Sequence, residues 1–236
     1  MKYFTVQEDV FQALPGYCLG VVVARGMDNT RKVEAVGRLL EKNTAEFMEY
    51  FREANLREIP AVSAYREAFL SLGMNPNKFM CSIEALAKRV QKSGMLPRIN
   101  PVVDLGNAFS IRYLLPMGAH DIDRLDEHGM TIRFSTVRDH FLGMGEKSQE
   151  DMPEGELVYV SGNTVKTRRW IWRQSDDGRI TESTSHVFFP IDGFESVNGR
   201  EVTDARDELA EFIRREFCCE VWTGYIDSTH PEMELP

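Results

Sequence analysis

Cysteine is sparse and poorly spaced for metal or redox work. The chain has 236 residues and 4 cysteines, Cys18, Cys81, Cys218 and Cys219, with no C-x-x-C pair among them. Reduced thiols in a cytoplasmic protein are the expected state. The 5 histidines are scattered, and none stands with a cysteine or carboxylate at zinc-ligand spacing. No metal and no cofactor is therefore expected. No apolar run nears the ~20 residues of a membrane span. The opening MKYFTVQEDVFQAL carries acids where a signal peptide would be apolar, so no membrane partner is expected. G-x-S-x-G and a dinucleotide fingerprint are missing. The loop Phe141–Ser148 bears glycines but lacks phosphate-loop spacing. Covalent, redox and nucleoside-triphosphate chemistry has no visible support.

Positive charge is also in deficit. Lys and Arg number 28 against 37 Asp and Glu, for a net charge of −9. That excludes indiscriminate nucleic-acid binding, which needs a broad positive field. The basic residues present are bunched, however. Lys78, Lys88, Arg89, Lys92, Arg98 and Arg112 face only Glu84 and Asp104 in the same stretch, and Lys166, Arg168, Arg169 and Arg173 have no acid among them. A local basic face on an acidic body suits contact with a nucleic-acid end. A solvated charged face is the plain alternative.

What is there reads as an α+β fold, with helices in the first half packed on an antiparallel sheet or sandwich in the second. Tyr3–Val6 and Gly16–Ala24 read as strands. Apolar spacing predicts helices over Thr30–Leu56, Ala61–Leu72 and from Ser82 to Gly94. Strands are predicted over Met130–Ser135, Leu157–Val160, Val165–Gln174 and Thr184–Ile191, then a helix over Asp204–Cys218 and an edge strand over Cys219–Tyr225. Ser228 onward reads as a frayed polar tail. No repeat or low-complexity linker divides the chain, so residues 1–236 are expected to form one domain. Nothing in the sequence specifies an oligomeric state.

The organising stretch is Ser82–Asp121. Asn100-Pro101 is a helix start signal, and Pro116 and Gly118 are stop signals. The helix between is apolar nearly all round, which predicts burial. Asn100, Asp104 and Asn107 share one narrow face, with Ser110 at its edge. That stripe serves either a ligand pocket or backbone groups needing partners. Downstream, Arg168-Arg169-Trp170-Ile171-Trp172-Arg173-Gln174 read as a strand puts Trp170, Trp172 and Gln174 on one face and Arg169 and Arg173 on the other. The tryptophans suit a core; the arginines suit a pocket or RNA.

Ile99-Asn100-x-Val102-Val103-Asp104-x-x-Asn107 followed by Pro116-Met117-Gly118-Ala119-His120-Asp121 resembles the B3/B4 domain of the phenylalanyl-tRNA synthetase β subunit. The pattern there is IN-x-VVD-x-x-N, then P-x-HAFD. The resemblance is densest over 65–195, leaving an N-terminal strand and helix in 1–60 and a C-terminal helix and tail in 200–236. It implies a free-standing B3/B4, three-layer protein without the ligase. It also implies a site that hydrolyses mischarged aminoacyl-tRNA through a placed water. On that reading the partners are the aminoacylated 3′ end of tRNA and its amino-acid moiety. The catalytic candidates are His120 and Gln174. Asn100, Asp104, Asn107, Arg169 and Thr184 are the substrate-binding candidates, and Lys88, Arg89, Lys92 and Arg173 the RNA-binding ones. The motif departs in two places. The family His falls at Gly118, with His120 two residues on. The family pocket Glu falls at Gln174 or Asp176. The alternative is a binding module for an amino acid, small molecule or tRNA that has lost its editing residues.

Overall fold

The computed structural model describes residues 1–236. Lys2–Val6 (β1) leads through Glu8–Ala13 (α1) into Tyr17–Arg25 (β2). Four helices follow, Glu34–Phe51 (α2), Pro60–Ser71 (α3), Ser82–Ser93 (α4) and Pro101–Tyr113 (α5). The β-rich stretch holds His120–Asp121 (β3), Gly129–Phe134 (β4), His140–Phe141 (β5) and Glu150–Asp151 (β6). It continues with Leu157–Ser161 (β7), Thr164–Arg168 (β8), Arg173–Gln174 (β9) and His186–Phe194 (β10). Glu195–Phe217 (α6), Glu220–Ile226 (β11) and Glu232–Leu235 (β12) complete the chain.

The strands build two sheets. The larger runs β12-β1-β4-β7-β8-β5-β6 with β9 beside β8, and the smaller runs β11-β2-β10-β3. The smaller sheet is antiparallel, while β1–β4 and β5–β8 are parallel pairs in the larger. Side chains alternate along a strand, so β2, buried from Tyr17 to Ala24, serves two cores at once. Leu19, Val21 and Val23 meet Phe4, Ile132 and Tyr159 of the larger sheet. Cys18, Val22 and Ala24 meet Phe109 of α5 and Leu209 of α6. β10 divides likewise, with Phe188 toward the larger sheet and Val187, Phe189 and Ile191 toward the helices. The layers are thus helices, small sheet and large sheet. Close approach of α6 needs Gly193, where a Cβ would stand 2.3 Å from Val202 Cγ2.

The α+β class and the two N-terminal strands are as the sequence predicts, and those strands belong to the two sheets rather than standing apart from them. β1 and β2 come from the N-terminal part, and β2 is central to its sheet. The tail is not frayed, because β12 pairs with β1, whose edge would otherwise carry unpaired backbone groups. α6 begins at Glu195, nine residues ahead of the spacing signal, across a break at Asn198. Asn198 is buried, accepting from the Phe194 N–H and donating to Tyr65 Oη.

α5 starts at its cap as predicted: Asn100 Oδ1 accepts from the Val103 N–H at 3.0 Å. Asp104, also buried, accepts from the Ile99 N–H at 2.8 Å and from Arg98 Nε at 2.7 Å. The sequence offers both residues to a substrate pocket; the structure spends their oxygens on the entry of the helix itself. Asp104→Ala should therefore remove the partner of the Ile99 N–H at the helix entry and destabilise the fold by about 1 kcal/mol, while the half-exposed Arg98 guanidinium turns to water. A urea midpoint that stays at the wild-type value would contradict this role.

Candidate functional site

Left-handed Leu114, at φ 54°, ends α5, and the chain continues through Pro116 to β3 alongside β10. Met117 bridges to Ile191, the Gly118 N–H donates to Pro190 O at 3.1 Å, and the Asp192 N–H donates to Pro116 O at 3.0 Å. Residues two apart on an extended segment share a face, so Gly118 and His120 look the same way. A Cβ on Gly118 would lie 3.2 Å from His120 Nε2. The imidazole of His120 therefore fills the space that a side chain at 118 would enter.

The facing wall is the turn between β8 and β9. Here Val165–Gln174 is not the single strand that the sequence predicts, because Arg169 and Trp170 have φ of 50° and 58°. Two successive non-glycine residues in the left-handed region are strained. The strain is held by burial of Trp170, whose N–H donates to Leu157 O at 2.6 Å. The turn sends Arg169 away from the hollow. Its guanidinium lies 4.0 Å from the Phe79 ring centre and 4.7 Å from that of Trp172, and pairs with Glu156 at 3.3 Å.

Asp192 of β10 forms the floor. Its Oδ1 accepts from Tyr17 Oη at 2.5 Å, Tyr159 Oη at 2.6 Å and Trp170 Nε1 at 3.0 Å. Between these walls is a cavity of about 160 Å³, lined in part by Ser82, Thr167, His120, Gln174 and Asp192. A second hollow of about 220 Å³ shares Met117, Gly118 and Gln174 with it and contains Asn107 on its far wall.

His120 is stacked between Phe188 and Tyr159, at ring-centre distances of 5.2 and 5.9 Å. Burial, and after it the charge of Lys166, pulls its pKa down to about 3, so the ring is neutral near pH 7. Nδ1 is sealed without a partner. No hydrogen bond fixes the tautomer, which leaves Nε2 free to accept from a water or donate to an oxyanion. Gln174 donates through Nε2 to Ala119 O at 2.9 Å and Gly178 O at 3.3 Å, leaving its Oε1 as an acceptor.

Of the predicted site residues, His120, Gln174 and Arg173 meet at the first cavity, and Asn107 meets Gln174 at the second. Thr184 lies elsewhere, its hydroxyl bonded to Asp121 Oδ2 at 2.8 Å, because this hydroxyl is needed to fix the β3 turn. The second basic cluster is neutralised by acids distant in sequence. Lys166 pairs with Asp177, Arg168 with Glu150 and Glu156, and Arg173 with Glu146. On α4, Lys88 is spent on the buried Glu84 at 2.8 Å, whereas Arg89 and Lys92 are exposed and make no ion pair. Asp192 is absent from the sequence expectations. Its signal was available: one acid inside the otherwise apolar strand HVFFPIDGF. Tyr159 and Trp170, its donors, carry no signal beyond that of core aromatics. No three His, Cys, Asp or Glu side chains gather where they could hold a metal ion. No helix is long and apolar enough to cross a membrane.

The family model of the B3/4 domain matches residues 64–215. The chain belongs to the B3/4 domain family. Among curated proteins no sequence matches it. Among solved structures it is similar to an N-terminal fragment of the phenylalanyl-tRNA synthetase β-subunit from Pyrococcus horikoshii, at 9% identity and a TM-score of 0.47. The match covers 95% of this chain and 54% of that one, so the chain spans about half the length of the fragment. In this B3/4 chain both cavities fall between elements inside the matched residues.

The depressed pKa of His120 fixes the sign of a pH effect. Between pH 6.5 and about 3 the unfolded chain binds a proton that the folded chain refuses, so stability falls as pH falls across that window. The full span is worth about 5 kcal/mol. His120→Phe keeps an aromatic ring in the stack and should flatten this limb relative to wild type. Asp192, raised to about 6 by burial, acts in the opposite sense but is present in both proteins and cancels. Parallel stability curves from pH 7 to 4 would contradict the buried neutral imidazole.

Proposed function

We propose that this B3/4 chain, acting as one domain over residues 1–236, binds the aminoacylated 3′ end of tRNA and hydrolyses a mischarged ester. The observation that carries the reading is the half-open cavity at the start of a basic helix. Ser82 lines the cavity and begins α4, which carries Arg89 and Lys92 further along. At 1.5 Å per residue, Lys92 is about 15 Å along the axis from Ser82. Together with Ser93, Met95 and Pro97 these residues border a shallow open groove. Phosphates following that groove would bring a terminal ribose and its ester to the cavity mouth. Two unpaired cations on a body of net charge −9 give local, salt-sensitive attraction and little duplex binding. Charged tRNA is a cytoplasmic pool, which sets the expected location.

An aminoacyl ester is an activated acyl group, so its hydrolysis needs no covalent nucleophile. The chemistry asked of the protein is positioning and hydrogen bonding. His120 Nε2 would orient the attacking water or bond the oxyanion. Being neutral with a pKa near 3, it contributes little as a proton-abstracting base. The free Oε1 of Gln174 would accept from the amino-acid moiety, and leaving such an acceptor unpaired disfavours ligands that lack the donor. Asn107 would act from the second hollow. Binding without turnover is the second reading, favoured by that same weak basicity.

Purified protein incubated with a panel of mischarged tRNAs should deacylate at least one above the spontaneous rate. His120→Phe should lower that rate about 100-fold if it orients the reacting groups. Arg89→Glu with Lys92→Glu should raise KM and leave kcat unchanged, as loss of uniform binding does. No deacylation anywhere on the panel, with tRNA binding intact, would overturn hydrolysis in favour of the second reading.

A further inference from the structure

Asp192 raises a question that hydrolysis alone does not answer. It is 2% exposed and sits on β10 of the smaller sheet, buried where that sheet packs on the larger one, and a charge there is costly unless it is paired. Its three donors are a pair of phenols and an indole, all neutral, and all crowd onto Oδ1. Oδ2 receives no hydrogen bond, yet it is not sealed in the way that Asn43 Oδ1 and His120 Nδ1 are. Asp192 is the only acidic side chain lining the first cavity. The one cation there, Arg173, is engaged with Glu146 at 2.9 Å. Lys166, near His120, is engaged with Asp177. The cavity therefore presents a carboxylate oxygen with no counter-ion from the protein.

Resting on the proposed function, we infer that Asp192 is a ligand-binding residue of the cavity and holds, through Oδ2, a cationic nitrogen of the aminoacyl ligand. The geometry suits this role. Donors gathered on Oδ1 fix the carboxylate plane and leave the second oxygen to accept a charge-assisted hydrogen bond. A preorganised acceptor spends no binding free energy on its own ordering. A cavity of about 160 Å³ holds a small residue and its ester. The ammonium could be the α-amino group, present on every aminoacyl ester, or a basic side chain.

Calorimetric titration at pH 7 with three stable amides separates these sources. L-alaninamide carries only the α-ammonium, Nα-acetyl-L-lysinamide only a side-chain ammonium, and N-acetyl-L-alaninamide neither. Wild type should prefer one of the first two over the third by about tenfold or more, and the preferred amide identifies the source. Asp192→Asn keeps an acceptor for the three donors and should erase the preference. Equal affinities in wild type would overturn the inference while leaving an ester pocket in place. A preference that survives in folded Asp192→Asn would also overturn it. Failure of all three amides to bind would overturn it together with the amino-acid pocket on which the proposed function rests. The wild-type comparison stands even where the variant fails to fold.

Discussion

A carboxylate without a counter-ion at the junction of both sheets constrains everything around it. Asp192 gathers Tyr17 from β2, Tyr159 from β7 and the Trp170 indole from the β8–β9 turn onto one oxygen. Its backbone is held as well, the carbonyl accepting from Tyr65 Oη at 2.8 Å and the N–H donating to Pro116 O. Burial alone would expel such a charge. Three donors retain it, and burial still pushes its pKa up to about 6. The network joins α3, both sheets and the segment leaving α5, so the rigid walls of the cavity are also its polar floor. Strain at Arg169 and Trp170 fits the same picture, because it aims the indole at Asp192.

Around that floor the chemistry is one of placement. His120 occupies the space next to Gly118, where a side chain two residues earlier would point. A side chain at 118 would press on the ring of His120, which would have to give by a few tenths of an ångström. The imidazole is held by stacking, kept neutral by burial, and free to hydrogen bond at Nε2. Gln174 offers a neutral acceptor from the opposite wall. On the proposed function these groups would orient a labile ester and a water, with no acid catalysis and no covalent intermediate.

Much of the fold was legible because its signals are local. Asn100-Pro101 gave the start of α5, the apolar faces of that helix gave its burial, and β-branched residues gave the strand that became β7. What escaped depends on partners distant in the chain. Arg168, Arg169 and Arg173 read as a free basic cluster, since Glu146, Glu150 and Glu156 belong to another segment. Asp104 and Thr184 read as pocket residues, since their partners are a neighbouring N–H and a distant carboxylate. β12 read as a loose tail, since only the open edge of β1 orders it. The inverted turn at Arg169-Trp170 has no glycine to announce it. Asp192 needed one more inference, that an acid inside a buried strand must have a reason to be there.

The account depends most on the first cavity being the place where an aminoacyl group sits. A crystal structure with a non-hydrolysable 3′-aminoacylamino-adenosine tests this directly. The account predicts the amino acid between the Gly118–His120 segment and the β8–β9 turn, its carbonyl near His120 Nε2 and the adenosine toward α4. Ligand bound elsewhere, or a cavity closed by its own side chains at saturating ligand, would contradict it.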